Sequence, residues 1–126
     1  MTMRTPLGRV RGLGSAKSGT EHFWRQRLTA IANVPLVIAG VVLTISLTGR
    51  SYPAVKQILA SPLVSVVMLL FVLSIVTHMK IGVQVIIEDY VHEEKRKLTL
   101  VMLNTFYAVA IGLACVYAIL KLSFRV

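Results

Sequence analysis

Apolar residues run in three long blocks separated by short polar segments. Leu28 to Thr48 and Leu98 to Leu120 contain no charged residue, and Pro62 to Ile87 contains only Lys80. Each block exceeds the roughly 20 helical residues needed to cross the hydrocarbon core of a bilayer. The pattern predicts an all-α membrane protein with three transmembrane helices, over about 28–48, 62–88 and 98–120. Pro62 sits at a favoured helix start, and the second helix is expected to run past the hydrocarbon edge to about Glu88. Pro35, close to Asn33, predicts a local kink in the first span, because proline removes a backbone donor. Gly49-Arg50-Ser51-Tyr52-Pro53 reads as a short turn. In the third span Asn104, Gly112 and Ala114 supply small or polar positions for helix packing.

Composition narrows the class. The chain has 126 residues, of which 56% are hydrophobic, and a mean hydropathy of +0.75. That is too apolar for a soluble domain and leaves room for only a few spans. The net charge of +9 does not indicate nucleic acid, because the basic residues lie at the ends of the apolar blocks. Membrane topology explains them more simply. Cys115 is the single cysteine. It lies inside the third span without an intrachain disulfide partner and reads as helix filler.

The bases also set an orientation. Arg4, Arg9, Arg11, Lys17, Arg25 and Arg27 precede the first span, and Lys95, Arg96 and Lys97 lie between the second and third. Arg50, Lys56, Lys121 and Arg125 fall on the opposite side. The positive-inside rule then puts the N-terminus and the 88–97 segment in the cytoplasm and the C-terminus outside. Glu21, Glu88, Asp89, Glu93 and Glu94 share the cytoplasmic side. The resulting mixed-charge surface suits docking of a soluble partner, although a solvated membrane edge accounts for it nearly as well. Residues 1–27 are read as a retained cytoplasmic arm and 28–126 as a three-helix anchor domain. The first twenty residues superficially resemble a mitochondrial transit peptide. Pro6, Gly8, Gly12, Gly14 and Gly19 argue against the amphipathic helix that such peptides form.

Candidate chemistry centres on His78. A ring nitrogen within a membrane segment is costly unless it binds something, which makes it a candidate site residue. Neutral imidazole is a common axial ligand of haem iron. Gly82, one turn on and on nearly the same face, would give a haem close approach to the backbone. A histidine hydrogen-bonded across helices explains the position equally well. His92 lies fourteen residues further on, about 21 Å along a continuous helix, and His22 belongs to the arm. A six-coordinate haem would therefore need its second histidine from another subunit.

Asp89 follows His78 by eleven residues, a rotation within about 20° of three full turns and a rise of about 16 Å. Asp89 thus shares the His78 face, and Asp89-Tyr90 lies at the cytoplasmic end of the second span. A phenol donating to a carbonyl oxygen, beside a carboxylate exchanging protons with water, suits a quinone headgroup. An interfacial tyrosine beside a solvated acid is the simpler reading of these two residues taken alone. Arg25 and Arg27, at the mouth of span one, match haem propionates in bidentate geometry, and positive-inside anchoring explains them as well. Lys80, about 200° around the helix from His78, is expected to snorkel toward the cytoplasmic surface.

A histidine, a glycine four residues on and Asp-Tyr eleven residues after the histidine, in the second of three helices, form a pattern met by His78, Gly82, Asp89 and Tyr90. In this the chain resembles the small hydrophobic membrane-anchor subunit of bacterial succinate dehydrogenase, respiratory complex II. The stretch Gly12 to Thr20, with His22-Phe23-Trp24 and Gln26-Arg27-Leu28-Thr29-Ala30, is similar to the alphaproteobacterial branch. The resemblance implies a haem b shared with a second anchor subunit, of the cytochrome b556 type, each of the two giving one axial histidine. It implies a ubiquinone site beside the iron–sulfur subunit, succinate oxidation on the flavoprotein subunit, and a place in the bacterial inner membrane. By the same resemblance His78 is the iron ligand with Gly82 beside it, Tyr90 donates to the quinone with Asp89 as its acidic neighbour, and Arg27 lies near the propionates or the quinone. Lys80 departs from the pattern, where an apolar or aromatic residue is expected.

Two alternatives stand beside that reading. One is a cofactor-free membrane adaptor that recruits a soluble partner through its charged face. The other, a narrower variant, is the anchor of a fumarate reductase.

Overall fold

The computed structural model describes residues 5–12 and 19–124. The described residues form five helices: α1 (Pro6–Val10), α2 (Glu21–Leu47), α3 (Tyr52–Leu59), α4 (Pro62–Tyr90) and α5 (Glu94–Ser123). Helices α2, α4 and α5 are each long and apolar enough to cross a membrane. With backbone donors and acceptors paired inside its own helix, such a segment enters lipid without a run of unsatisfied polar groups.

The helices are longer than the charge-free blocks that announce them. Helix α2 starts at Glu21, seven residues before the first block, and Glu21 pairs with Arg25 one turn later. Helix α5 starts at Glu94, an acid in the first turn that complements the helix dipole. Helix α4 continues to Tyr90, at about 43 Å well beyond the hydrocarbon thickness. Pro35 lies inside α2, which remains helical through it.

The stretch read as a turn at residues 49–53 is only partly one. Gly49, with φ of 75°, occupies the left-handed region open to glycine. Tyr52 and Pro53 already open α3, with Ser51 at its N-cap and the proline where no intrahelical donor is required. Ser65 of α4 donates to the Leu59 carbonyl at the end of α3, at 3.1 Å, joining the two helices across their tight connection.

Helix α4 is the centre of the bundle and packs against both α2 and α5. On its α5 side, a methyl built on Gly112 would meet Val76 at 3.6 Å, a close approach that a small residue permits. The Asn104 side chain donates to the Lys80 carbonyl at 2.9 Å. Among the described residues only Ser65, Ile81, Asn104, Ala108 and Ile119 are buried. Most apolar side chains therefore face outward, as lipid or neighbouring subunits require and water does not permit.

Candidate functional site

Helices α2 and α4 run antiparallel, and the half of their interface nearer the start of α2 is polar. Gln26, Thr29 and Asn33, at spacings of three and four, share one face of α2. Ser74, His78 and Gly82, at spacings of four, share one face of α4. These two stripes meet. Thr29 Oγ1 lies 3.1 Å from His78 Nδ1, and Ser74 Oγ donates to the Thr29 carbonyl at 3.4 Å. A methyl built on Gly82 would touch Gln26 Nε2 at 3.7 Å. Toward the other end the interface turns apolar, where Gly40 faces the Phe71 ring.

His78 is half-buried. Its Nδ1 is engaged by Thr29, and Nε2 has no hydrogen-bond partner among the described residues. Among the described residues the sealed side-chain atoms without a partner are Gln26 Oε1 and Asn33 Oδ1, and His78 Nε2 is not one of them. One nitrogen is held, and the other is unpartnered among the described residues.

Gly82 lies beside His78 as the sequence spacing requires, but the nearest atom to its open side belongs to Gln26 of α2. Asp89 and Tyr90 occupy the last turn of α4 and are exposed, Tyr90 at 77%. Neither is joined to Arg27 by a hydrogen bond or ion pair among the described residues. Arg27 projects about 100° around α2 from Gln26 and lies over the Phe23 ring, 5.2 Å from its centroid. Phe23 in turn meets Trp24 edge to face at 5.7 Å. Arg25 is held by Glu21 on the exposed surface.

His22 and His92 are exposed and lie outside the polar interface. Among the described residues, no three His, Cys, Asp or Glu side chains gather to hold a bare metal ion. An axial histidine contributed by one chain needs no such cluster. Lys80 is half-buried on the α5 side of α4, where its carbonyl receives Asn104. Sequence reasoning misses Thr29 as the partner of His78, Ser74 as the residue that binds the Thr29 carbonyl, and Gln26 as the neighbour of Gly82. The signal that could have found them is the recurrence of polar residues every three or four positions within an otherwise apolar span. Of the N-terminal motif, residues 13–18 lie outside the described residues, as do Arg4, Lys17 and Arg125.

Comparison with known proteins identifies the family. A family described as succinate dehydrogenase/fumarate reductase transmembrane subunit matches residues 1–112. The chain is 27% identical over 119 residues to the succinate dehydrogenase hydrophobic membrane anchor subunit of Paracoccus denitrificans, covering 94% of this chain and 92% of that one. It is 28% identical to the protein of the same name from Rickettsia bellii, covering 92% and 93%. With the succinate dehydrogenase membrane anchor subunit of Reclinomonas americana it shares 33% identity over 98 residues, covering 75% and 82%. No solved structure matches the chain significantly. With three helices apolar enough to cross a membrane and a family match over most of its length, this chain belongs to the succinate dehydrogenase/fumarate reductase transmembrane subunit family.

Proposed function

We propose that this chain is the hydrophobic membrane-anchor subunit of a succinate:ubiquinone oxidoreductase, that it gives one axial ligand to a haem b, and that it forms part of the ubiquinone site. The observation carrying this reading is the state of His78, with Nδ1 tied to Thr29 and Nε2 unpartnered and not sealed. A donor set of one imidazole fits a haem bound between two subunits, each giving one histidine. The relatives named as succinate dehydrogenase anchors favour that enzyme over a fumarate reductase.

When bound, haem b supplies a one-electron carrier within the membrane. The work of this chain is positional. His78 offers the Nε2 lone pair, and Arg27, exposed at the start of α2, offers a planar guanidinium to propionates or to the quinone. Tyr90 donates its phenol proton to a quinone carbonyl, and Asp89 beside it exchanges protons with water. His78 and Tyr90 are separated by about 18 Å along α4, so the two sites are distinct and are joined by one helix.

The partners on this reading are a cytochrome b556-type anchor protein, an iron–sulfur subunit and a flavoprotein subunit in the bacterial inner membrane. Residues 1–27 face the cytoplasm and 28–126 form the anchor domain. A reduced-minus-oxidised optical spectrum of the purified complex tests the reading against a cofactor-free adaptor. A b-type signal is expected, and its absence from an assembled, succinate-oxidising complex overturns the haem assignment.

A further inference from the structure

The Thr29 hydroxyl has one proton and three neighbours. The Arg25 carbonyl lies at 2.8 Å, the Gln26 carbonyl at 3.2 Å and His78 Nδ1 at 3.1 Å. The two carbonyls carry no proton and only accept. The shortest contact therefore takes the hydroxyl proton, leaving the Thr29 oxygen with lone pairs and no proton for the ring. The contact with His78 is then a hydrogen bond only if Nδ1–H donates to Thr29. In a neutral imidazole that puts the lone pair on Nε2, the nitrogen without a partner.

The threonine is itself held in place. Its hydroxyl bonds back to its own helix, and its carbonyl receives Ser74 Oγ from α4, one turn before His78. The acceptor is thus fixed relative to the helix that carries the ring. We propose that Thr29 is a positioning residue for His78: by accepting Nδ1–H it selects the Nε2 lone pair, fixes the ring's rotation and raises its basicity as a ligand. This rests on the assignment of His78 as a haem ligand. A partner of this kind tunes the metal through the ligand, because a more basic imidazole favours the ferric state and lowers the reduction potential.

The test uses the assembled complex with Thr29→Val, which keeps the branched shape and deletes the acceptor, and Thr29→Ser, which keeps the hydroxyl. Haem content by pyridine haemochrome, the haem midpoint potential by optical redox titration and the ferric EPR spectrum are measured in each. Thr29→Val should raise the midpoint potential and move the EPR line positions, and Thr29→Ser should restore both to the wild-type values. Should Thr29→Val fail to assemble, Thr29→Cys, a weaker acceptor of similar size, should give a smaller shift in the same direction. A His78→Ala control separates the two claims. If haem persists unchanged in His78→Ala, the ligand assignment fails and the role of Thr29 with it. If haem depends on His78 but the hydroxyl-deleted or weakened variants keep the wild-type potential and EPR spectrum, the positioning role alone is overturned.

Discussion

Asn104 of α5 donates its side-chain amide to the backbone carbonyl of Lys80 on α4 at 2.9 Å, a hydrogen bond between helices at one of the few buried positions in the bundle. A carbonyl oxygen accepts two hydrogen bonds, so the Lys80 carbonyl need not give up its helical partner to receive Asn104. Asn104→Leu should remove the clasp without orphaning the carbonyl. Interhelical hydrogen bonds of this kind average about 0.6 kcal/mol and reach about 1.7 kcal/mol. Thermal unfolding of the purified complex should show a loss in that range with the haem spectrum unchanged. Undiminished stability would mean that apolar packing alone sets the α4–α5 contact.

Lys80→Leu should behave differently, although it alters the same contact point. The bond from Asn104 goes to the backbone and survives the substitution, and the Lys80 side chain makes no ion pair among the described residues. Lys80 also lies about 200° around α4 from His78. Quinone reductase activity should change by no more than about twofold, corresponding to roughly 0.5 kcal/mol. A severe loss in an assembled complex would show that the side chain reaches the quinone path.

The three spans are legible in the sequence because length and freedom from charge are enough to identify a segment stable in lipid. Their ends are not. At Glu21 to Arg27 the helix continues into the charged interfacial region, where hydropathy falls but the backbone hydrogen bonds and the Glu21–Arg25 pair persist. Helix α3 is hidden because Tyr52-Pro53 passes for turn chemistry, when Ser-Tyr-Pro also opens a helix. His78 stands out by its cost in an apolar segment. Its partner Thr29 does not, because spacing within one helix says nothing about its register against another. The contact of Gly82 with Gln26 of α2 is hidden for the same reason.

The proposed cytoplasmic N-terminus rests on the distribution of bases, nine in the segments before the first span and between the second and third, four in the other two segments. A reporter that is active only outside the cytoplasm, fused after Val126, should be active. A cytoplasmic signal would reverse the topology and remove Tyr90 from the side on which the dehydrogenase subunits are proposed to dock.

Tyr90→Phe separates quinone chemistry from anchoring. Tyr90 is 77% exposed in this chain, so removing its hydroxyl should leave assembly and haem content near normal. Quinone reduction by succinate should fall, while succinate oxidation with an artificial acceptor fed by the soluble subunits should not. A hydrogen bond worth about 1–3 kcal/mol in the rate-limiting step corresponds to a fall of roughly 5- to 150-fold. Normal quinone reduction would return Tyr90 to the interfacial aromatic belt.

Whether His78 holds the iron is tested most directly by the haem spectrum and stoichiometry of an assembled His78→Ala complex. The α4 helix can persist with alanine at this position, since alanine favours the helix and the ring is only half-buried. The b-type absorbance should be lost or spectrally altered while the soluble subunits remain bound and oxidise succinate. A His78→Ala complex with wild-type haem content and an unchanged spectrum would contradict the assignment.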